Sequence, residues 1–391
     1  MKLSHGLHLD YCTNIHRGET WDQTFAALER YTLAVRERVA PGKPFAIGLR
    51  LGDAASLELS QPATLLSFQR WLERHQCYVF TINGFPFGQF HGARVKEQVY
   101  LPDWTSPARL AYTNRLFDLL GRLVPAGVEG SVSTLPIGFK ELVPDKRQER
   151  AARENLWRCL EHIERVSRAT GRHLHLGLEP EPLCCLETTS EVASFFERMR
   201  ADRPGDLRLD AHLGVTYDTC HLAIEFESPA EAIGRLRQHG VRISKIHLSS
   251  ALRAHASPEA RTALWGFTDE VYLHQVVSRS ADGHLARFKD LEEALDAPQM
   301  LAVQPAPEWR VHFHIPLHAQ PAPGFSTTAD HLLGVLDQLQ QQPQLCSHLE
   351  METYTWEVLP PALKNRSVVD QLAAEYDWTL RALAARHFHA I

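Results

Sequence analysis

The sequence predicts an α/β protein of the (β/α)8 barrel class, with an insertion between the seventh and eighth strands. Short apolar segments alternate with amphipathic helical segments along most of the chain, which predicts parallel strands joined by right-handed crossovers. The chain has 391 residues, whereas such a barrel needs about 250. The surplus must therefore lie in an insertion and at the termini of one domain that covers residues 1–391.

Eight apolar segments are the candidate barrel strands. They are residues 7–12, 45–51, 78–82, 130–135, 174–179, 213–218, 243–248 and 349–353. Apolar residues at helical spacing between and after them predict helices. These are residues 21–39, 63–74, 108–123, 144–170, 190–200, 229–239, 328–341 and 368–386.

The alternation breaks at about residues 251–318, which form the predicted insertion. Residues 271–279 and 285–289, joined through Ala281-Asp282-Gly283, have the pattern of a β-hairpin. Residues 309–317 are a further strand candidate. This segment competes with 349–353 for the eighth position in the barrel, and the sequence leaves that choice open.

Several other classes of protein are disfavoured. An open doubly wound sheet is the rival fold, but neither GxGxxG nor GxxxxGK[ST] occurs. A net charge of −6 without a basic tract disfavours nucleic-acid binding. The first residues have no apolar signal region, and no apolar run is long enough to span a bilayer. Seven scattered cysteines without a CxxC pair are typical of free thiols, so we expect a cytoplasmic protein.

Polar residues stand at the carboxyl ends of the predicted strands, where a (β/α)8 barrel places its active site. Those that end strands five to eight are Glu179, Glu181, Asp218, His221, His247, Glu350 and Glu352. The earlier strand ends carry His8, Asp10, Asn14, Arg50, Asn83 and Ser133. Carboxylates and imidazoles therefore cluster on four adjacent strands, and we expect the functional site there.

Glu179, Asp218, His247 and Glu352 are the predicted ligands of one divalent metal ion. Mixed oxygen and nitrogen ligands suit Mn²⁺, Mg²⁺, Co²⁺ or Zn²⁺, and the lack of thiolates argues against a closed structural zinc site. Such an ion can chelate adjacent oxygens of a polyol or ketose and make a neighbouring C–H more acidic. Glu179 and Glu352 would then remove and return a proton.

Some of these assignments have structural alternatives. Asp218 can instead cap the next helix, and His247 can be a core histidine that is satisfied by its neighbours. Glu350 and Glu352 are two residues apart, so both point to the same side of a strand. We favour Glu352 as the ligand because it ends the apolar run.

Further residues are predicted to contact the substrate, namely His221, Asn83, Glu181, Lys245 and His314. Glu181 and Lys245 can equally be members of ion pairs. His314 forms an HxH pair with His312, a pattern that also occurs on the first strand of amidohydrolase zinc sites. Because the pair comes late in this chain, we expect it to contribute to the substrate pocket.

The strand ends Glu179-Pro180, Asp218-Thr219-Cys220-His221, His247 and Glu352 resemble the xylose isomerase-like superfamily of TIM barrels, and especially its sugar epimerases related to D-tagatose 3-epimerase. The resemblance implies that the four residues bind one divalent metal, that the two glutamates shuttle the proton, and that His221 contacts substrate. Xylose isomerases have a lysine where this chain has Glu181, which favours proton transfer over a hydride shift.

Longer phrases resemble the EboE family of metabolite traffic proteins. They are YCTNIH (11–16), TINGFPFG (81–88), RVKEQVYLPDW (94–104), LEPEP (178–182), KIHLSS (245–250) and LEMETYTW (349–356). The family is associated with a cluster that also holds a sugar-phosphate-cyclase-like enzyme. This resemblance implies a sugar-like or cyclitol substrate.

The hypothesis is therefore a metal-dependent isomerase or epimerase that acts by proton transfer on a sugar-like or cyclitol metabolite. One alternative is a non-catalytic metabolite-binding or trafficking protein on the same barrel. Another is a metal-dependent hydrolase of the endonuclease IV-like type, which needs a His-richer cluster with several metal ions and is favoured by the HxH pair. We expect a small-molecule partner, no nucleic acid and no membrane span, and leave a homo-oligomer open.

Overall fold

Parallel strands form a nearly closed barrel in the computed structural model, which describes residues 1–88, 96–143, 145–297, 306–360, 364 and 366–391. In chain order the strands are β1 (His8–Tyr11), β2 (Phe45–Arg50), β3 (Cys77–Asn83), β4 (Gly130–Thr134), β5 (Leu174–Leu178), β6 (Leu213–Asp218), β7 (Arg242–Leu248), β8 (Ala251–His255), β9 (Val276–Arg279), β10 (Leu285–Phe288), β11 (Glu308–His314), β12 (Phe325–Thr327) and β13 (His348–Met351).

The barrel sheet has the order β1-β13-β7-β6-β5-β4-β3-β2. A parallel bridge between Cys12 and Gly48 brings the end of β1 against β2, at the two ends of this order. The predicted (β/α)8 barrel is thus confirmed. Its eighth strand is β13, which pairs in parallel with β1 and β7. The competing segment 309–317 lies outside the barrel.

The insertion folds as an antiparallel sheet with the order β10-β9-β11-β8-β12. The predicted hairpin is confirmed, since Leu285 pairs with Arg279 across β9 and β10. The predicted end of the insertion at residue 318 is too early. Strand β12 also belongs to this sheet, because Phe325 pairs with Ala254 of β8. Residues 298–305 of the predicted insertion lie outside the described part of the chain.

Helices follow the barrel strands and also occur within the insertion. They are α1 (Trp21–Ala27), α2 (Leu33–Val39), α3 (Asp53–Leu59), α4 (Pro62–Arg74), α5 (Pro107–Leu123), α6 (Lys146–Thr170), α7 (Thr189–Asp202), α8 (Arg208–His212), α9 (Thr219–Ile224), α10 (Pro229–Gln238), α11 (Pro258–Leu264), α12 (Leu291–Asp296), α13 (Ala329–Gln341) and α14 (Val368–Ala384). A π-helical turn, Leu28–Thr32, joins α1 to α2 within the predicted helix 21–39.

Local sequence signals explain where the longest helix begins and ends. The Asp145 side chain caps α6 by accepting a hydrogen bond from the Gln148 amide. Gly171 follows with φ 65°, a left-handed conformation that favours glycine and stops the helix. The predicted first residue of this helix, Pro144, lies outside the described residues.

One continuous hydrophobic cluster includes buried residues of the barrel and of the insertion, for example Leu176 on β5, Leu252 on β8 and Trp309 on β11. Strand β5 is buried along its whole length, as expected for a parallel strand covered on both faces. The insertion sheet is therefore packed against the barrel. Among the helices of the described residues, none has the length and apolar character needed to cross a membrane.

Candidate metal centre

Four side chains from four adjacent strand ends meet at the carboxyl-terminal mouth of the barrel. Asp218 is the last residue of β6, and His247 is the penultimate residue of β7. Glu179 directly follows β5, and Glu352 directly follows β13. One ligand atom from each of the four lies within 4.8 Å of the others. We call this set the quartet; it is the predicted set of ligands.

His247 is at the centre of the quartet. Its Nδ1 atom lies 2.8 Å from Glu179 Oε1, 3.3 Å from Glu352 Oε2 and 3.5 Å from Asp218 Oδ2. Burial by itself lowers the pKa of His247, but the surrounding carboxylates Glu179 and Glu352 raise that pKa well above its ordinary value. One imidazole nitrogen therefore faces three carboxylates in a buried space, an arrangement that a divalent cation would neutralise.

The two carboxylate oxygens of Asp218 have different roles: one accepts hydrogen bonds within the fold and the other faces the quartet. Its Oδ1 accepts hydrogen bonds from the amides of Cys220 (2.7 Å) and His221 (3.1 Å) and from the Ser249 hydroxyl (2.6 Å). Its Oδ2 is fully buried and accepts no hydrogen bond from any residue that the structure describes. Its nearest cationic neighbours among the described residues are the imidazoles of His247 at 3.5 Å and His221 at 4.0 Å. A buried carboxylate oxygen without a hydrogen bond is stabilised when it binds a cation or a ligand. The helix-cap and metal-ligand alternatives for Asp218 are thus compatible with each other.

A buried ion pair lies directly below the quartet and orients His247. Glu350 Oε1 lies 2.8 Å from His247 Nε2 and accepts a 2.9 Å hydrogen bond from Lys245 Nζ. The Lys245 ammonium also donates to Ser133 Oγ at 3.1 Å. Burial by itself raises the pKa of Glu350, but Lys245 and His247 lower it to about 2. Metal-binding histidines commonly have such a carboxylate on their second nitrogen.

The structure places the two glutamates, Glu350 on β13 and Glu352 after it, at different depths. Both point into the barrel, as their spacing requires, but Glu350 pairs in register with His247 and lies one layer deeper. Glu352 reaches the quartet. Its Oε1 accepts hydrogen bonds from Asn14 Nδ2 at 2.7 Å and from Asn83 Nδ2 at 3.3 Å, which leaves Oε2 facing His247.

A cavity opens above the quartet. Its aromatic and apolar wall consists of Phe85, Pro86, Val99, Tyr100, Leu135, Tyr272, Leu273 and Tyr354. Its polar side chains are those of Asn14, Asn83, Lys96, Glu179, Glu181, His221, His312 and Glu352. A mostly apolar pocket with a few convergent polar groups is typical of small-molecule sites.

The residues predicted to contact substrate fall into two groups. Asn83, Glu181 and His221 line the cavity. Glu181 accepts a 2.5 Å hydrogen bond from the Tyr100 hydroxyl, and burial raises its pKa to about 7. Lys245 does not reach the cavity, because its ammonium lies inside the barrel between Glu350 and Ser133.

His314 is close to the quartet but lies behind the cavity wall. Its Nδ1 donates to the Glu352 carbonyl at 2.9 Å, and its ring centroid is 5.8 Å from that of His221. His312 reaches the cavity itself. The HxH pair therefore belongs to the site, although its strand is outside the barrel.

Several residues in or beside the cavity were not predicted from the sequence. Tyr100 belongs to the segment after β3, and Tyr272 and Gln275 belong to the insertion before β9. Gln275 donates to Tyr100 Oη at 3.0 Å and accepts from His312 Nδ1 at 2.8 Å. Their only sequence signal was polar and aromatic residues within loops. Asn14 had a better signal, since it lies among the polar residues that follow the first strand.

No family model matches this sequence, and no curated protein matches it either. The resemblance to the EboE family therefore stays a prediction. Solved structures do match the fold. One is a xylose isomerase-like TIM barrel protein from Mycobacterium smegmatis in complex with magnesium, with 15% identity, coverage of 99% of each chain and a TM-score of 0.54.

Two further solved structures have the same likeness. An L-ribulose 3-epimerase is 13% identical, with 99% of this chain and 96% of that chain covered and a TM-score of 0.50. A D-tagatose 3-epimerase-like protein is 12% identical, with 97% and 98% covered and a TM-score of 0.50. At these identities the likeness concerns the backbone fold. This chain has the fold of the xylose isomerase-like TIM barrels.

Proposed function

We propose that this protein is a divalent-metal-dependent isomerase or epimerase that moves a proton at a carbon of a sugar-like or cyclitol metabolite. The observation that carries the proposal is the quartet, in which the buried Asp218 Oδ2 faces its three partners and accepts no hydrogen bond from the described residues. The solved structures of similar fold support it, because two of them are named as sugar 3-epimerases or proteins like them and a third contains magnesium.

Glu179, Asp218, His247 and Glu352 would hold the ion, which is Mn²⁺, Mg²⁺, Co²⁺ or Zn²⁺ by the mixed oxygen and nitrogen ligand set. When bound, a divalent ion supplies Lewis acidity that makes a C–H next to a substrate carbonyl more acidic. Glu181 stands where xylose isomerases have a lysine, and this difference supports proton transfer instead of a hydride shift.

Glu352 is the proposed proton acceptor and Glu179 its partner on the other side of the substrate. Asn14 and Asn83 donate hydrogen bonds to Glu352 Oε1 and so stabilise its carboxylate form. His247 and His314 lower the pKa of Glu352 against the effect of burial, which raises it. A carboxylate that stays ionised at neutral pH can accept a proton from carbon. His221 would orient a substrate hydroxyl at the cavity wall.

The test is exchange of solvent deuterium into a panel of ketoses, aldoses and inosose-type cyclitols, followed by NMR with the Mn²⁺-loaded or Co²⁺-loaded protein. Glu352→Gln and Glu179→Gln should each lower exchange by about 10²- to 10⁴-fold. Glu154→Gln is the control, since its side chain on α6 is 59% exposed. Binding of a panel member without any exchange in the wild-type protein would instead support the metabolite-binding alternative.

A metal-dependent hydrolase is the second candidate. The specific observation that favours it is that His312 and His314, from a strand outside the barrel, lie next to the quartet. Release of product from phosphoester substrates by the metal-loaded protein, without deuterium incorporation at carbon, would favour this candidate over the first.

A further inference from the structure

Asp10 on β1 is a fully buried acid beside the ion pair that lies below the quartet. Its side chain lies in the barrel interior, and neither of its carboxyl oxygens accepts a hydrogen bond from an N–H or O–H group of the described residues. A buried, ionised carboxylate without such bonds is so unfavourable that the group usually becomes neutral instead. Asp10 belongs neither to the quartet nor to the cavity wall.

Glu350 is the neighbour of Asp10 inside the barrel. The two residues are paired in register between β1 and β13, and both side chains point into the barrel. Glu350 Oε1 contacts Lys245 and His247, whereas its Oε2 accepts no hydrogen bond from an N–H or O–H group of the described residues. Oε2 extends toward Gly48 on β2, where an added Cβ would meet it. Since β1 lies between β13 and β2, this direction takes Oε2 past Asp10.

Lys245 is the ammonium group that these two acids share. It donates to Glu350 at 2.9 Å, and its charge also lowers the pKa of Asp10. The Met1 amino group is near Asp10 as well, but burial lowers the pKa of that amine to about 5. A His247 ring that binds an ion is neutral and supplies no charge. Two neighbouring carboxylates that share one buried lysine therefore retain a proton between them.

The surroundings of the two acids place this proton on Asp10. Burial raises the pKa of Asp10 well above its ordinary value, and the charge of Glu350 and a side-chain hydrogen bond between the two acids raise it further. Burial also raises the pKa of Glu350, but Lys245 and His247 lower it to about 2. A carboxylic acid that its site keeps neutral can donate a hydrogen bond, whereas an ionised carboxylate can only accept one.

We propose that Asp10 is a neutral carboxylic acid that donates its proton to Glu350 Oε2 and thereby fixes the carboxylate that orients His247. Asp10 is a positioning residue, because it acts through Glu350 on His247 Nε2, while His247 Nδ1 faces the quartet. A carboxylate that is itself hydrogen-bonded holds the imidazole in one orientation, which strengthens metal binding. The role toward the ion rests on the proposed function, whereas the protonation of Asp10 does not.

The protonation is tested by infrared spectroscopy of the metal-free, full-length protein at pH 6. The wild type should have a carbonyl stretch of a protonated carboxylic acid that Asp10→Asn lacks. Aspartate labelled with ¹³C in its side-chain carboxyl group should shift this band. Asp118→Asn is the control and should keep the band, because it removes an aspartate that is 57% exposed. If Asp10→Asn loses no band, or if the lost band does not shift with labelled aspartate, the proposal is wrong.

The positioning role is tested by calorimetric titration with Mn²⁺. Asp10→Asn keeps a donor for Glu350 Oε2 and the same charge, so it should bind Mn²⁺ as tightly as the wild type. Asp10→Ala removes the donor and should weaken binding by about 10-fold. Leu9→Ala is the matched control for the cavity, because Leu9 is the adjacent and equally buried residue of β1, and it should keep the wild-type affinity.

Three results of this titration would overturn the positioning role. They are equal losses of affinity in Asp10→Asn and Asp10→Ala, no loss in Asp10→Ala, and a loss in Leu9→Ala as large as that in Asp10→Ala. A wild-type protein that binds no Mn²⁺ would overturn the role toward the ion together with the proposed function. The infrared band would still decide the protonation of Asp10, since that measurement needs neither metal nor substrate.

Discussion

At the scale of single residues, Asp218 shows how one side chain serves both folding and the proposed metal site. Its Oδ1 satisfies two amides at the start of α9 and the Ser249 hydroxyl, while Oδ2 faces the quartet without a hydrogen bond from the described residues. Because the two roles use different oxygens, substitution can separate them.

Asp218→Asn should abolish binding of the quartet ion, with an affinity loss of more than about 100-fold, while the metal-free protein melts close to the wild-type temperature. The asparagine oxygen can still accept the helix-cap hydrogen bonds. Asp218→Ala is the comparison and should in addition lose about 0.5–2 kcal/mol of stability, because the cap is removed. Calorimetric metal titration and thermal melts measure both effects. Undiminished metal affinity in Asp218→Asn would exclude this residue as a ligand.

Glu350 is proposed to position His247 without touching the ion. Glu350→Gln should weaken metal binding by about 10- to 100-fold and destabilise the fold by about 3–5 kcal/mol, because the buried Lys245 ammonium loses its partner. Adding Lys245→Met should restore much of the stability and little of the affinity. Denaturant melts and metal titrations of the two variants provide the measurements. An affinity equal to wild type in Glu350→Gln would remove Glu350 from the site.

At the scale of elements, the barrel closes where the end of β1 meets β2. Gly48 on β2 forms the parallel bridge with Cys12. A Cβ atom there would lie 2.6 Å from the Tyr11 carbonyl oxygen and closer still to Oε2 of Glu350. The backbone oxygen cannot move aside without opening the bridge, so glycine is required for this approach.

Gly48→Ala should therefore destabilise the protein by about 3 kcal/mol. Gly234→Ala is a matched control on α10, where an added Cβ meets no atom within 4 Å. It should stabilise the protein by about 0.5–1 kcal/mol, because glycine is a poor helix former. Equilibrium urea unfolding of both variants measures the two changes. Equal stability of the two variants would contradict the close approach at β2.

At the scale of the whole molecule, α14 ties the insertion to the barrel mouth through one buried carboxyl group. Glu375 Oε1 accepts hydrogen bonds from the Leu317 amide at 3.0 Å and from the Thr353 hydroxyl at 2.7 Å. Burial raises the pKa of Glu375 to about 7, from an ordinary value of 4.5. The folded protein thus binds more protons here than the unfolded chain does. The contribution of Glu375 to the stability of the fold is therefore fully present below pH 4.5 and is lost as the pH rises to about 7.

Glu375→Gln should remove this pH dependence, since the amide oxygen can accept both hydrogen bonds without a charge. The free energy of unfolding of the variant should exceed that of the wild type by up to ~3 kcal/mol at pH 8 and by much less at pH 5. The difference in free energy of unfolding at the two pH values is the measurement, with Glu154→Gln as the exposed control. A difference that does not grow with pH would show that Glu375 is ionised in the folded protein throughout.

The sequence alone determined the barrel and the set of strand-end residues that the quartet contains. Strand and helix periodicity are local properties, and parallel strands bring their carboxyl ends to one mouth. It could not choose between Glu350 and Glu352, because alternation defines which side of a strand a residue faces but not its depth in the barrel. That depth follows from the register of β13 against β7.

Only the tertiary structure decided what covers the mouth. Residues 309–317 read as a strand in either context, and pairing partners more than 30 residues away placed them in the insertion sheet. That placement brings His312 and His314 beside the quartet and Gln275 beside His312. Such long-range pairing depends on the packing of the whole chain, since no local pattern of charge or hydrophobicity specifies it.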